Sequence, residues 1–339
     1  MTAATPTRVV WVDTAKAVSI VSVVLFHASS LASGNAEAEA GWRMAALAVY
    51  SFMLPLFFLV SGLFTGPSSA VSFGSYARRR VAPLVWVFAV WTVVYTLLDA
   101  ATESRVGGSL ADNLALRSIL WFLPGLAIHM LIARALVRVP AAFQLGVAAI
   151  ISLPVAQFFP FDGWGLAHTA QYLVFFLAGS LWRTRIVEFV DRARPSTCVT
   201  LGVIALVVGS VAVTVPVVGP LAYGLLPVVT VPLVLVGSKL VGRWCAVASV
   251  GRYIGSRTLA VLVVHPLVIQ VVSLVVGTPA GLLTGAVLPV ATMLAALAAS
   301  FVVQATAGRI PGVLTMPGIS RYASVARSVS TRRRTARMR

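Results

Sequence analysis

The stretch VVWVDTAKAVSIVSVVLFHASSL, residues Val9 to Leu31, decides what kind of molecule this is. It is long and apolar enough to cross a bilayer, yet it holds Asp13, Lys16 and His27. Ionisable side chains are expensive in hydrocarbon, so inside a spanning helix they point to function. From Lys16 to His27 is 11 residues, about 1100° at roughly 100° per residue, or three turns plus roughly 20°. Asp13 precedes Lys16 by three residues and falls within about 40° of the same line. One helix face therefore presents a carboxylate, an ammonium and an imidazole in a row.

The surrounding chain agrees with a membrane setting. Of its 339 residues 59% are hydrophobic and only 10% charged, against about 25% charged in a soluble domain. The mean hydropathy is +0.96. The first stretch is too long for a signal-peptide core and has no small-residue cleavage site behind it. Apolar runs that are long and continuous, rather than short and alternating, predict helices and not a barrel. The expected fold is all-α: a polytopic membrane bundle of about ten helices, near 9–31, 43–65, 81–98, 117–135, 141–159, 169–183, 198–214, 218–237, 257–275 and 282–306.

Charge sets the orientation. One set of connecting segments holds Arg8, Arg78 to Arg80, Arg134, Arg138, Arg183, Arg185, Arg192, Arg194, Lys239, Arg243, Arg252, Arg257 and eight arginines from Arg309 onward. The alternate set holds only Arg43, Arg105 and Arg117 among six carboxylates. Twenty-two basic residues against three place both termini in the cytoplasm, as an even number of crossings requires. The net charge of +17 thus serves topology, and nucleic acid is excluded as a partner. Residues 1–308 form one transmembrane domain, and 309–339 read as a disordered basic tail on the anionic inner leaflet. Cys198 and Cys245 have no metal-ligand spacing, and no disulfide or metal site is expected.

Each candidate residue has a bland reading beside the sharp one. His27 suits a general base for a hydroxyl, or a structural hydrogen bond between helices. Asp13 and Lys16 contact an anionic ligand, or form an interfacial pair with a snorkelling lysine. Arg78, Arg79 and Arg80 grip phosphate with guanidinium forks, or only mark topology. Trp121 belongs to a site or to an aromatic belt. His265, before Pro266, is an intramembrane candidate or a satisfied structural histidine, and His129 reads as structural. His168, at a loop edge, is assigned nothing.

Taken in order, the motifs resemble those of the acyltransferase 3 family of integral-membrane O-acyltransferases. They are Asp13-x-x-Lys16-x10-His27, Met53 to Gly62 (MLPLFFLVSG), the Arg78–Arg80 cluster before Pro83, Leu120-Trp121-Phe122-Leu123, Tyr172 to Gly179 (YLVFFLAG), and Gly251-Arg252-Tyr253-Ile254-Gly255 followed by His265-Pro266. The Asp-x-x-Lys form looks like the branch of fucose O-acetylase-like proteins, and the arginines are contiguous where the family spaces a pair by two residues. The resemblance implies a ten-span enzyme with cytoplasmic acyl-CoA, usually acetyl-CoA, as co-substrate and no metal. The acyl group passes to a hydroxyl-bearing acceptor: a sugar, glycan, lipid-linked precursor or secondary metabolite. It implies catalysis by His27 with Asp13 and Lys16, and coenzyme binding by Arg78, Arg79, Arg80 and Trp121. Ser61 and His265 are expected near the substrate. The expected location is a bacterial plasma membrane, since abundant Ala, Val and Arg suggest a GC-rich genome. The oligomeric state is open. The competing reading is a transporter or exporter of a sugar-like or lipid substrate.

Overall fold

The computed structural model describes residues 10–65, 72–102, 109–158, 165–277 and 281–317. Arg8, Glu103, Arg105, Asp162 and residues 318–339 of the expected tail lie outside the described residues. The first residues of that tail, 309–317, are described, and 310–314 pack on the helix Ala82–Thr102 instead of being disordered. Among the described residues there is no strand.

The first helix, α1 (Val10–Ala28), continues in a 3-10 turn over Ser29–Ala32, and α2 (Ala36–Leu63) returns beside it. Asn35 sets the start of α2, its side chain accepting from Ala38 N at 3.0 Å. The helix therefore begins earlier than its apolar run. Ser19 Oγ donates to Met53 O at 2.6 Å and pins the two antiparallel helices midway. The short α3 (Phe73–Tyr76) and a π-helical turn, Ala77–Val81, lead into α4 (Ala82–Thr102).

The fourth predicted span is not one continuous helix. After α5 (Leu110–Leu114), Leu116 takes a positive φ of 59°, a 3-10 turn covers Ile119–Trp121, and α6 (Phe122–Ala135) begins only there. Pro124 sits in the first turn of α6, where its missing N–H is harmless.

Next come the pair α7 (Ala141–Phe158) and α8 (Gly165–Leu181), the surface helix α9 (Arg183–Arg192), and α10 (Pro195–Thr214). The chain returns through α11 (Gly219–Leu225) and α12 (Pro227–Val241), crosses one end as α13 (Cys245–Gly255), and finishes in α14 (Thr258–Val276) and α15 (Leu282–Ala305). Among the described residues, eight helical stretches are long and apolar enough to cross a membrane. The remaining two predicted segments are shorter helices: the apolar stretch Ala141–Val155 of α7, and the 17 residues of α8.

The membrane shows most clearly in α10. Its mean hydropathy reaches 2.2, yet none of its residues is buried against protein. An all-round apolar helix that packs on its neighbours along one side only, here α11 and α12, is at home in lipid. Inside the bundle, by contrast, close approach rests on small residues. A Cβ at Gly62 would run into Phe176 O, and one at Gly179 into Leu59 O, so α2 and α8 touch backbone to backbone. Likewise Gly251 and Gly255 press α13 onto Thr14 and Asp13 of α1.

The basic segments gather where α1 begins. Trp11 Nε1 donates to Asp191 Oδ1 at 3.2 Å. Lys239 Nζ, at the end of α12, donates to Asp191 O and Ala193 O at 2.7 and 2.8 Å, satisfying the last carbonyls of α9. Residues 310–314 fold onto the first half of α4. Trp86 Nε1 donates to Gly312 O at 2.9 Å, Trp91 Nε1 donates to Val313 O at 3.0 Å, and Leu314 is buried.

Candidate active site

The last turn of α1 delivers His27 to a cavity of about 170 Å³ enclosed by α1, α2, the Ile119–Trp121 turn, α6, α8 and α14. Val10 to His27 is about 26 Å of helix rise, so the imidazole lies near the end of the bundle opposite the basic one. His27 lies against the edge of the neighbouring Phe26 ring, at 5.3 Å between centroids, and Phe26 leans on Tyr50 at 5.4 Å.

Beside His27 stands His265, fully buried, with ring centroids 5.5 Å apart. His265 Nδ1 lies 2.8 Å from Val261 O. A carbonyl only accepts, so the proton resides on Nδ1 and Nε2 keeps its lone pair. That Nε2 is buried and has no hydrogen-bond partner among the described residues. Pro266 follows and lacks an N–H, which releases the carbonyl of Leu262, a residue of the cavity wall. α14 thus brings one oriented imidazole and one loosened backbone carbonyl to His27's side.

The opposite wall is aromatic. Gly165 N donates to Leu116 O at 2.9 Å, and a Cβ on Gly165 would strike Leu116 and Trp121. That contact locks the 3-10 turn to the start of α8 and sets Trp121 on His168, with centroids 5.1 Å apart and planes 27° from parallel. Tyr172, one turn along α8, stacks with His168 at 6.4 Å, and its hydroxyl donates to Tyr50 Oη at 3.3 Å. His168 was given no role from the sequence, although His168 and Tyr172 are four apart and so share a helix face. That i,i+4 pairing was the available signal. His129 is buried, with Nε2 2.6 Å from Thr169 O and Nδ1 without a hydrogen-bond partner among the described residues.

The other expected residues stand elsewhere. Lys16, partly buried, holds Nζ 4.3 Å from the centroid of the Phe64 ring, a cation–π contact at the basic end. Asp13 backs onto Gly255 there. Ser61 is close by on α2, its carbonyl accepting from Thr65 Oγ1 at 2.9 Å. Arg78, Arg79 and Arg80 are exposed on the π-helical turn that follows the α2 end of the bundle. The structure therefore brings His27 and Trp121 to one cavity, packs His265 against His27 behind its wall, and keeps Asp13, Lys16, Ser61 and the arginines near the other end. About 16 Å of helix separates Lys16 from His27. Among the described residues, no three His, Cys, Asp or Glu side chains cluster so as to share a metal ion.

This arrangement can do acid–base chemistry in a cavity lined mostly by apolar side chains, with Lys16 at the other end of the same helix. A family model described as an acyltransferase domain, that of the acyltransferase 3 family, matches residues 9–305, from α1 to the end of α15. No curated protein and no solved structure matches the chain. The match is to the family as a whole and covers both the histidine cavity and the basic end. The chain belongs to the acyltransferase 3 family and is a membrane acyltransferase.

Proposed function

We propose that this acyltransferase moves an acyl group, most simply acetyl, from cytoplasmic acyl-CoA to a hydroxyl of a sugar, glycan, lipid-linked precursor or secondary metabolite. The observation that carries the reading is His27 on the wall of one cavity with the oriented His265 packed against its ring, at the other end of α1 from Lys16. The coenzyme's phosphates stay at the basic end, where Arg78, Arg79, Arg80 and Lys16 supply positive charge. Its thin pantetheine arm runs along α1 and brings the thioester toward His27.

There, His27 takes the proton from the acceptor hydroxyl as its oxygen attacks the thioester carbonyl. The carbon–sulfur bond breaks, the ester is formed, and the thiolate takes the proton back as free coenzyme A. General base catalysis of this kind contributes about 10²–10⁴-fold. His265 Nε2 accepts a hydrogen bond from the His27 ring while that ring carries the extra proton. Trp121 and His168 offer a flat face to the acceptor. Asp13 positions the start of α1 against α13. The setting proposed is a bacterial plasma membrane with the basic end cytoplasmic.

The test is acetyl transfer from acetyl-CoA by membranes bearing wild type or His27→Ala. Loss of transfer of at least about 100-fold is expected. Transfer near the wild-type level would reject His27 as the base.

A further inference from the structure

A second cavity, of about 160 Å³, lies on the other side of Tyr50 from the His27 cavity. α2, α7, α8, α11 and the start of α12 enclose it. Its floor is polar. Tyr50 and Tyr172 meet there through their hydroxyls, and Gln171 Oε1 and Tyr223 Oη are buried with no hydrogen-bond partner among the described residues. Buried polar atoms left this way cost stability unless a ligand or water satisfies them. Gln171 Oε1 is an acceptor only, so what completes it must donate. No charged side chain lines the cavity.

The mouth is of the opposite character. Ala149 on α7, Leu225 ending α11 and Val228 on α12 are exposed, Leu225 by 44% and Val228 by 61%. They flank the gap between helices beside α10, which packs on α11 and α12 yet buries none of its residues. An opening of this kind faces hydrocarbon and not water. The volume holds about five waters at liquid density, enough for one small hydroxylated head group.

We infer that this cavity binds a neutral, hydroxyl-bearing amphiphile that slides in from the bilayer between α7 and α12, its head on Gln171 and Tyr223 and its apolar tail left in lipid. Resting on the transferase reading above, this occupant is the acyl acceptor. Tyr50 lines both cavities, so this cavity holds the acceptor before its hydroxyl passes Tyr50 to reach Trp121, His168 and His27. The absence of cationic lining selects an uncharged head over a phosphate. The unmet acceptor on Gln171 selects an alcohol over a plain hydrocarbon.

The probe is an alkyl glucoside with a diazirine in its chain, photolysed with the full-length protein in lipid nanodiscs and mapped by peptide mass spectrometry. Labelling is expected around Ala149 and Val228, and an unmodified alkyl glucoside competes while free glucose does not. Val228→Trp, an exposed substitution that narrows the mouth, and Gln171→Leu are each expected to lower labelling by about fivefold, the loss of roughly one net hydrogen bond or its equivalent in access. Size-exclusion profiles of both variants check that they fold. Labelling that is uniform over the apolar surface, or unchanged in both folded variants, would overturn the site. Competition by free glucose equal to that of the alkyl glucoside would overturn the amphiphile. Acetyl-CoA turnover, measured separately, divides the two proposals: saturable labelling without any turnover by wild type supports the site and sinks the transferase reading alone.

Discussion

Exchanging His265 for phenylalanine keeps a flat ring in a fully buried position but removes both ring nitrogens. The Nδ1 bond to Val261 O is lost, which costs folding about 0.5–1.5 kcal/mol because the carbonyl still serves the α14 backbone ladder. Loss of Nε2 acts on the reaction instead. If it accepts from the His27 ring only when that ring is positively charged, its removal withdraws a charge-assisted hydrogen bond from the transition state. Such a bond is worth about 1.5–3 kcal/mol. At 1.36 kcal/mol per decade the expected fall in kcat is about 10- to 150-fold. KM for acetyl-CoA is expected to hold, since the proposed function puts the coenzyme's charged groups near the other end of α1. The assay is steady-state acetyl transfer in nanodiscs, with thermal melting to show that the variant is folded. His265→Gln, which restores an acceptor oxygen, should recover part of the loss. A folded His265→Phe enzyme with kcat within about twofold of wild type would refute the pairing, because so small a change corresponds to about 0.4 kcal/mol.

Other perturbations reach different parts of the structure. Gly179→Val drives a branched side chain into the Leu59 carbonyl, where backbone cannot give way; destabilisation of at least about 3 kcal/mol and lost detergent-extracted protein are expected, read by melting temperature and yield. Replacing Arg78, Arg79 and Arg80 together with glutamine should raise KM for acetyl-CoA several-fold and flatten its salt dependence, with kcat little changed; an unchanged KM would leave these arginines as topology signals alone. Trp121→Ala empties the face opposite His27 and should weaken acceptor binding by about 10-fold or more while acetyl-CoA binding is retained, as separate titrations of the two substrates would show. Trp91→Phe deletes the bond to Val313 O and should loosen the 310–314 segment, making it more sensitive to limited proteolysis in the folded protein.

Much of this molecule could be read without coordinates. The ten apolar runs, the division of basic residues between alternate connections and the shared face of Asp13, Lys16 and His27 are local properties. Each depends on a helix meeting either lipid or water, and the residues needed for that decision lie within one segment. The start of α2 follows from the Asn35 cap, a local signal weaker than the hydrophobic run that begins after it. The break before α6 was harder to see. It rests on Leu116 adopting a left-handed backbone that is stabilised by Gly165, a partner remote in sequence.

What the sequence by itself determined is the solvent of each segment and the face on which His27 lies. Only the tertiary structure decided which groups His27 meets: His265 comes from 238 positions further along the chain, and Trp121 is backed by His168 because α8 begins against the turn at Leu116. The reason is that periodicity assigns a side chain to a direction but not to a neighbour. Neighbours follow from helix packing, set here by glycines at 62, 165, 179, 251 and 255 whose counterparts lie on other helices.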